Sequence, residues 1–183
     1  MKRSMLIAIC LVFCASFAFA QAPGSIMVFS DAAYTDCNIP DTAVGLLSTY
    51  VVHKYAAGAT ASQFKLEVEP CNAMTFTGAT NAFPTTIGDI FTGISVAYGA
   101  CLNGDILLVT VNWFSQTLTP PCCLMEVVPD PVAPEGIVIV VDCASNKLAA
   151  YGGISVINPD ETCDCEALPV NESTWGGIKA LYQ

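Results

Sequence analysis

From Ser62 to Glu69 the chain alternates without a break, with Phe64, Leu66 and Val68 on one side and Gln63, Lys65, Glu67 and Glu69 on the other. Period-two alternation over this length predicts a strand with one buried and one wet face. Ile94, Val96 and Tyr98 alternate with Gly93, Ser95 and Ala97 in the same way, and Leu107, Val109, Val111 and Trp113 share one side of Asp105–Phe114. Between them, Cys101-Leu102-Asn103-Gly104 predicts a turn, because Asn-Gly takes positive φ at little cost; the two runs are expected to form a hairpin. Further strands are expected at Ile26–Ser30, Val44–Tyr55, Met74–Thr77, Leu124–Val128, Gly136–Asp142 and Leu148–Ile157. Breakers such as Pro40-Asp41, Gly58, Pro70, Pro120-Pro121 and Asn158-Pro159-Asp160 separate them. No capped helix at 3.6 spacing precedes residue 170. Many short strands with frequent turns predict an all-β, antiparallel β-sandwich.

The two ends of the chain read differently. Met1-Lys2-Arg3, the apolar run Met5–Ala20 and the closing Ala18-Phe19-Ala20 have the three parts of a secretory signal peptide, so residues 1–20 are expected to be removed. The sandwich is expected over residues 21–157. Residues 158–183 are rich in turn formers and acids, and form a cysteine-containing strap followed by a tail. In that tail, Ser173 is a candidate N-cap, Trp175, Ile178 and Tyr182 would share one helical face, and Leu181 adds to the apolar content. The tail is expected either to dock on the sandwich or to be displayed, with docking favoured because large apolar side chains gain by burial.

Charge narrows the function. The full chain carries a formal −10, and loss of Lys2 and Arg3 leaves four lysines against sixteen acids, or −12. Phosphate recognition needs clustered cations, which excludes nucleic acid as a partner. No transmembrane segment is expected after signal cleavage.

Cys37, Cys71, Cys101, Cys122, Cys123, Cys143, Cys163 and Cys165 remain after the leader. An even set of thiols sent to an oxidising compartment predicts a disulfide framework, with 105 connectivities open. Adjacent cysteines strain the peptide between them if they bond each other, so Cys122 and Cys123 should take different partners. No zinc-type cysteine pairs and no C-x-x-C motif are present, and no metal or cofactor is expected. His53, the chain's single histidine, lacks a nucleophile motif beside it and is expected to be a packing or surface residue. Glu67 and Glu69 fall on one wet strand face rather than across a cleft. Asp36, Asp41, Asp89 and Asp105 lie near turns but form no calcium loop. A sugar-stacking strip would have to come from Tyr34, Tyr50, Tyr55, Tyr98 and Tyr151, since Trp113 falls on an apolar strand face.

The stretch Ala59–Val68 followed by Met74-Thr75-Phe76-Thr77-Gly78-Ala79-Thr80 resembles the early strands of cohesin-type, immunoglobulin-like sandwiches. Gly104–Phe114 is similar to their later G-x-l-l-x-v-x-F strand. The resemblance covers about a third of the chain and implies the sandwich fold. Eight cysteines depart from typical cohesins, which puts a dockerin partner in doubt. The expected function is a secreted extracellular structural or interaction module of adhesion type, without catalytic activity. Its partner would be an extracellular protein or glycan, and it would sit outside the cell or at its surface, with the periplasm as the alternative compartment. A carbohydrate-binding module is the runner-up and a secreted hydrolase the third reading.

Overall fold

The computed structural model describes residues 23–165. These residues form ten strands: β1 (Ser25–Phe29), β2 (Asn38–Ile39), β3 (Gly45–Val68), β4 (Met74–Asn81), β5 (Thr85–Asp89), β6 (Gly93–Ser115), β7 (Cys123–Val128), β8 (Val138–Asp142), β9 (Lys147–Gly152) and β10 (Ile154–Ile157). No helix occurs among the described residues. The fold is an all-β sandwich, antiparallel except where β1 meets β9 and β10 meets β2.

β3 is the spine. One of its edges follows β6 from Gly45 to Phe64, while the other takes β1, then β8, then β7 in succession. The outer edge of β6 is shared by β4 and β5. β3 passes out of the first sheet at Lys65, where it joins β7, β10 and β2. The core lies between these layers, with Val28, Val51, Val109, Val111 and Trp113 on one side and Leu66, Met125, Val127 and Ile157 on the other. Alternation of the kind seen in Ser62–Glu69 therefore places Phe64 and Leu66 fully inside.

Asn103-Gly104 does not turn the chain. Both residues sit in the ladder of β6 opposite Ala57 and Ala56, and the expected hairpin is one strand of 23 residues. The expected strands Val44–Tyr55 and Ser62–Glu69 likewise merge into one of 24. The reason is that the breaks in the two long strands face each other. Tyr55 (φ 57°) and Gly58 (φ 97°) in β3 lie across from Gly99 (φ 75°) and Gly104 (φ 83°) in β6, so the pair bends together through a series of register shifts. A bend and a reversal need the same residues, and sequence spacing alone does not separate them.

A second bulge changes which residues face inward. Val51 pairs with Val109 and Val52 with Leu107, leaving Leu108 unpaired. Leu108, Val109, Val111 and Trp113 are buried in the main core, while Leu107 turns to the opposite face of the sheet. The expected run Leu148–Ile157 is also divided. β9 pairs with β8, and β10 crosses to β7. At the crossing, a Cβ on Gly152 would run into the carbonyl oxygen of Val127.

All eight cysteines among the described residues pair: Cys37–Cys165, Cys71–Cys123, Cys101–Cys143 and Cys122–Cys163. Cys123 begins β7 and is buried, whereas Cys122 precedes it at φ 65° and looks toward Cys163. Adjacent cysteines thus serve two different links. The segment after β10 is held by two of the bridges. It is also held by Asn38, whose side-chain amide donates to Asp164 and whose side-chain oxygen accepts from the Cys165 N–H.

Candidate interaction face and the predicted chemical sites

His53 is fully buried in β3. Its Nε2–H donates to the Pro23 carbonyl at 2.6 Å, and its Nδ1 accepts from the Tyr98 hydroxyl at 3.1 Å. Burial pulls its pKa below the ordinary value, against a smaller upward effect of the Pro23 bond. Burial also drives the Tyr98 phenol well above its usual value. A neutral imidazole with both nitrogens engaged ties the backbone at Pro23 to the core. It is a packing residue, not a surface one, and no nucleophile accompanies it.

The acids are separated and occupied. Glu67 pairs with Lys65 at 2.7 Å and stands opposite Glu126 on β7. Glu69 accepts the Leu124 N–H at 2.9 Å, and the three glutamates border a shallow cleft of about 400 Å³. Asp36 and Asp89 each cap their own turn, accepting from the N–H of Asn38 and Phe91. Asp105 binds the Lys54 ammonium, which, with the Tyr55 N–H, holds its pKa below the carboxylate range. Asp41 is 2% exposed. Burial pushes its pKa up, but hydrogen bonds from the Ser115 and Thr119 hydroxyls and the Thr119 N–H outweigh it, so the net shift is downward. Sequence reasoning had no means of finding this Asp41–Thr119 link, which joins positions 78 residues apart.

Two clusters have metal-ligand chemistry in outline, Glu69 with Cys71 and Cys123, and Cys122 with Asp160 and Cys163. Each is built on a disulfide, so neither offers thiolates. The aromatic side chains do not assemble into an open strip either. Trp113 is in the core with its indole N–H donating to Thr49 at 3.0 Å, and Phe76 and Phe91 pack edge-on against it. Tyr98 is buried, Tyr34 and Tyr50 pack against each other, and Tyr55 and Tyr151 stand exposed on separate strands, β3 and β9.

What the structure does assemble is the outer face of β3, β6 and β4. The pairing register sets three rows across it: Tyr50 beside Thr110 and Thr80, Ser48 beside Asn112 and Gly78, and Leu46 beside Phe114 and Thr75. None of these residues is charged. The Ser48 hydroxyl donates to the Asn112 side-chain oxygen at 2.8 Å, and Leu46 is 81% exposed. At the Tyr50 end the face runs into a small apolar cluster of Phe29, Val52, Cys37, Met27, Tyr34 and Leu107, over which Cys165 packs. The tail residues Trp175, Ile178, Leu181 and Tyr182 lie outside the described residues.

No protein-family model matches the sequence, and no curated protein matches it. Among solved structures, a chain of the CaDoc0917–CaCohA2 complex aligns over 74% of this chain and 99% of its own at 10% identity, with a TM-score of 0.52. The sixth cohesin of Acetivibrio cellulolyticus scaffoldin B, solved in complex with a Cel5 dockerin mutant, aligns over 74% of this chain and 98% of its own at 8% identity, TM-score 0.50. A cohesin module of a Clostridium perfringens family 33 glycoside hydrolase aligns over 76% and 99% at 10% identity, TM-score 0.48. At such identities the likeness speaks to architecture alone, and that architecture is the cohesin-like β-sandwich.

Proposed function

We propose that this chain is an exported, non-catalytic module that binds another protein through the outer face of β3, β6 and β4. The observation that carries the reading is an uncharged, three-strand face with Leu46 exposed on a chain of formal charge −10. Interface centres are depleted in charge, and large apolar side chains left in water mark contact sites. The Acetivibrio cohesin of similar fold was solved with a protein partner, which favours a protein over a glycan ligand here. Four disulfides suit an oxidising compartment, and no helix among the described residues is long and apolar enough to cross a membrane. The test is capture and cross-linking of a partner from surface extracts of the producing cell, with wild type, Leu46→Asp and Val132→Asp compared. Loss of a contact at the centre of an interface costs on the order of 2 kcal/mol, about thirtyfold in affinity. Leu46→Asp should lose the partner by that factor while Val132→Asp, exposed elsewhere, retains it. Equal capture by both, or binding to a glycan array that both variants keep, would reject the face.

A further inference from the structure

Beside the Leu46–Phe114 end of the sheet lies a cleft of about 600 Å³ with one buried carboxylate in its lining. We propose that this cleft is a lysine-binding site: it takes a lysine side chain presented by a protein partner, with the aliphatic stem against proline and leucine walls and the ammonium in the field of Asp41. That the lysine belongs to a protein partner rests on the reading of the neighbouring face as the contact surface; the site itself does not.

The cleft is assembled where the chain enters β3 and leaves β6. Gly45 pairs with Ser115, so Pro40–Thr42 before one strand and Leu118–Pro121 after the other come side by side, and Asn158-Pro159 after β10 completes the lining. Its floor is fixed. The Asn158 side-chain oxygen accepts the Asp41 N–H at 2.8 Å, and its amide donates to the carbonyls of Asp41 at 3.0 Å and Thr119 at 2.7 Å. Three segments are thereby locked together, and the volume falls within the roughly 300–1,000 Å³ of pre-formed ligand pockets.

The charge in the lining lacks a counter-ion. Asp41 is 2% exposed, and the hydrogen bonds that lower its pKa keep it ionised at neutral pH. Those from Thr119 engage a single oxygen: Oδ2 accepts the Thr119 N–H at 2.8 Å and the Thr119 hydroxyl at 2.6 Å. Oδ1 has no partner at bonding distance. The Ser115 hydroxyl helps to hold the charge, but its one proton meets the Thr117 carbonyl at 3.2 Å and serves Oδ1 only by leaving it. The lysines among the described residues are paired elsewhere, with Asp105, Glu67 and Glu135. A buried, uncompensated carboxylate acts on a cation through its low-dielectric surroundings, which focus the field into the cleft instead of screening it. Around that charge the walls are carbon: the rings of Pro40, Pro121 and Pro159, and Leu118, which is 55% exposed. Lysine has this same division, an apolar stem and a compact charge at its end. Arginine fits less well, because its planar fork seeks both oxygens of a carboxylate and Oδ2 is taken. A bare divalent cation fits less well again, since it needs several oxygen ligands where the walls offer rings.

The probe is N-acetyl-lysine methylamide, with N-acetyl-norleucine methylamide as a control that keeps the stem and lacks the charge. Titrated into the intact oxidised protein and followed by backbone amide shifts, the lysine probe should move Thr42, Leu118 and Thr119 with a Kd of about 1–10 mM, the range open to so small a ligand. The norleucine probe should bind about tenfold more weakly, and Asp41→Asn should erase the difference. Leu118→Lys, at an exposed position outside the hydrogen-bonded floor, should block the lysine probe by setting an ammonium of the chain's own at the mouth. Unmoved amides, equal affinity for the two probes in the wild-type protein, or undiminished lysine binding in Leu118→Lys overturns the site; the two-probe comparison needs no variant to fold. Partner capture then tests the link to the face, and Leu118→Lys should lower it about tenfold. If the lysine probe fails while Leu46→Asp still abolishes capture, the cleft falls and the contact face stands. If the probe binds as expected but Leu118→Lys captures as well as wild type, the assignment to a partner's lysine falls.

Discussion

Removing the Cys37–Cys165 bridge, as the Cys37→Ala/Cys165→Ala double variant, measures how the four disulfides work together. Taken alone, this bridge closes a loop with a sequence separation of 128, and chain entropy assigns a bond of that kind roughly 5 kcal/mol. The other bridges shorten the route. In the unfolded oxidised chain, Cys37 reaches Cys71 along the backbone, crosses to Cys123, steps to Cys122, crosses to Cys163 and arrives at Cys165. That path contains about 37 backbone steps, and a loop of this size is worth about 4 kcal/mol. Cys122–Cys163 closes the same ring, so Cys122→Ala/Cys163→Ala should cost about the same. Once Cys122–Cys163 is gone, the shortest loop that Cys37–Cys165 closes roughly doubles, and removing Cys37–Cys165 second should cost about 0.6 kcal/mol more than removing it first. Guanidinium unfolding without reductant, analysed from midpoint and slope, gives the four free energies of this cycle. The melting temperature should fall by roughly 8–16 °C in each double variant. A loss below about 1 kcal/mol, or a second removal cheaper than the first, would refute the ring.

His53 predicts a pH window. Its folded-state pKa lies below the unfolded value of about 6.5, so its contribution to stability is complete above that value and is lost as pH falls through the folded pKa. Urea midpoints should drop between about pH 7 and pH 5, and His53→Gln should flatten that part of the profile; an unchanged slope would show that another group titrates there. The lowered carboxyls of Asp41 and Asp105 act in the same direction in a lower window, holding stability above about pH 4 and losing it below. Gly152→Ala should destabilise by about 1–3 kcal/mol, because the added methyl meets the Val127 backbone rather than a movable side chain; a neutral result in thermal melts would contradict the close crossing of β9 into β10. Leu46→Asp should change stability by no more than about 0.5 kcal/mol by guanidinium unfolding, since the side chain touches little.

The layers of this fold were legible wherever alternation was strict. Phe64, Leu66, Val109, Val111 and Trp113 all went inside as their period-two spacing required. The expectation failed where one residue too many enters a strand. Leu108 is invisible as a bulge in sequence, yet it sends Leu107 to the outer face and helps to create the second apolar cluster there. Asn103-Gly104 misled for a related reason, because a residue pair that tolerates positive φ serves a bend between long strands as well as it serves a hairpin. Long-range links such as Asp41 with Thr119 leave no local trace.

The outer face was illegible for a different reason. Leu46, Ser48 and Tyr50 come from one part of the chain, Thr110, Asn112 and Phe114 from a second, and Thr75, Gly78 and Thr80 from a third. In sequence each run looks like an ordinary half-buried strand, and Leu46 looks like a core leucine. Only the register shows that these three runs share a surface, and that the bulge at Leu108 gives this surface an apolar border. That border is where the Cys37–Cys165 bridge lands. Its position fixes where the following chain must begin, and so joins the cysteine framework to the question of what the face contacts.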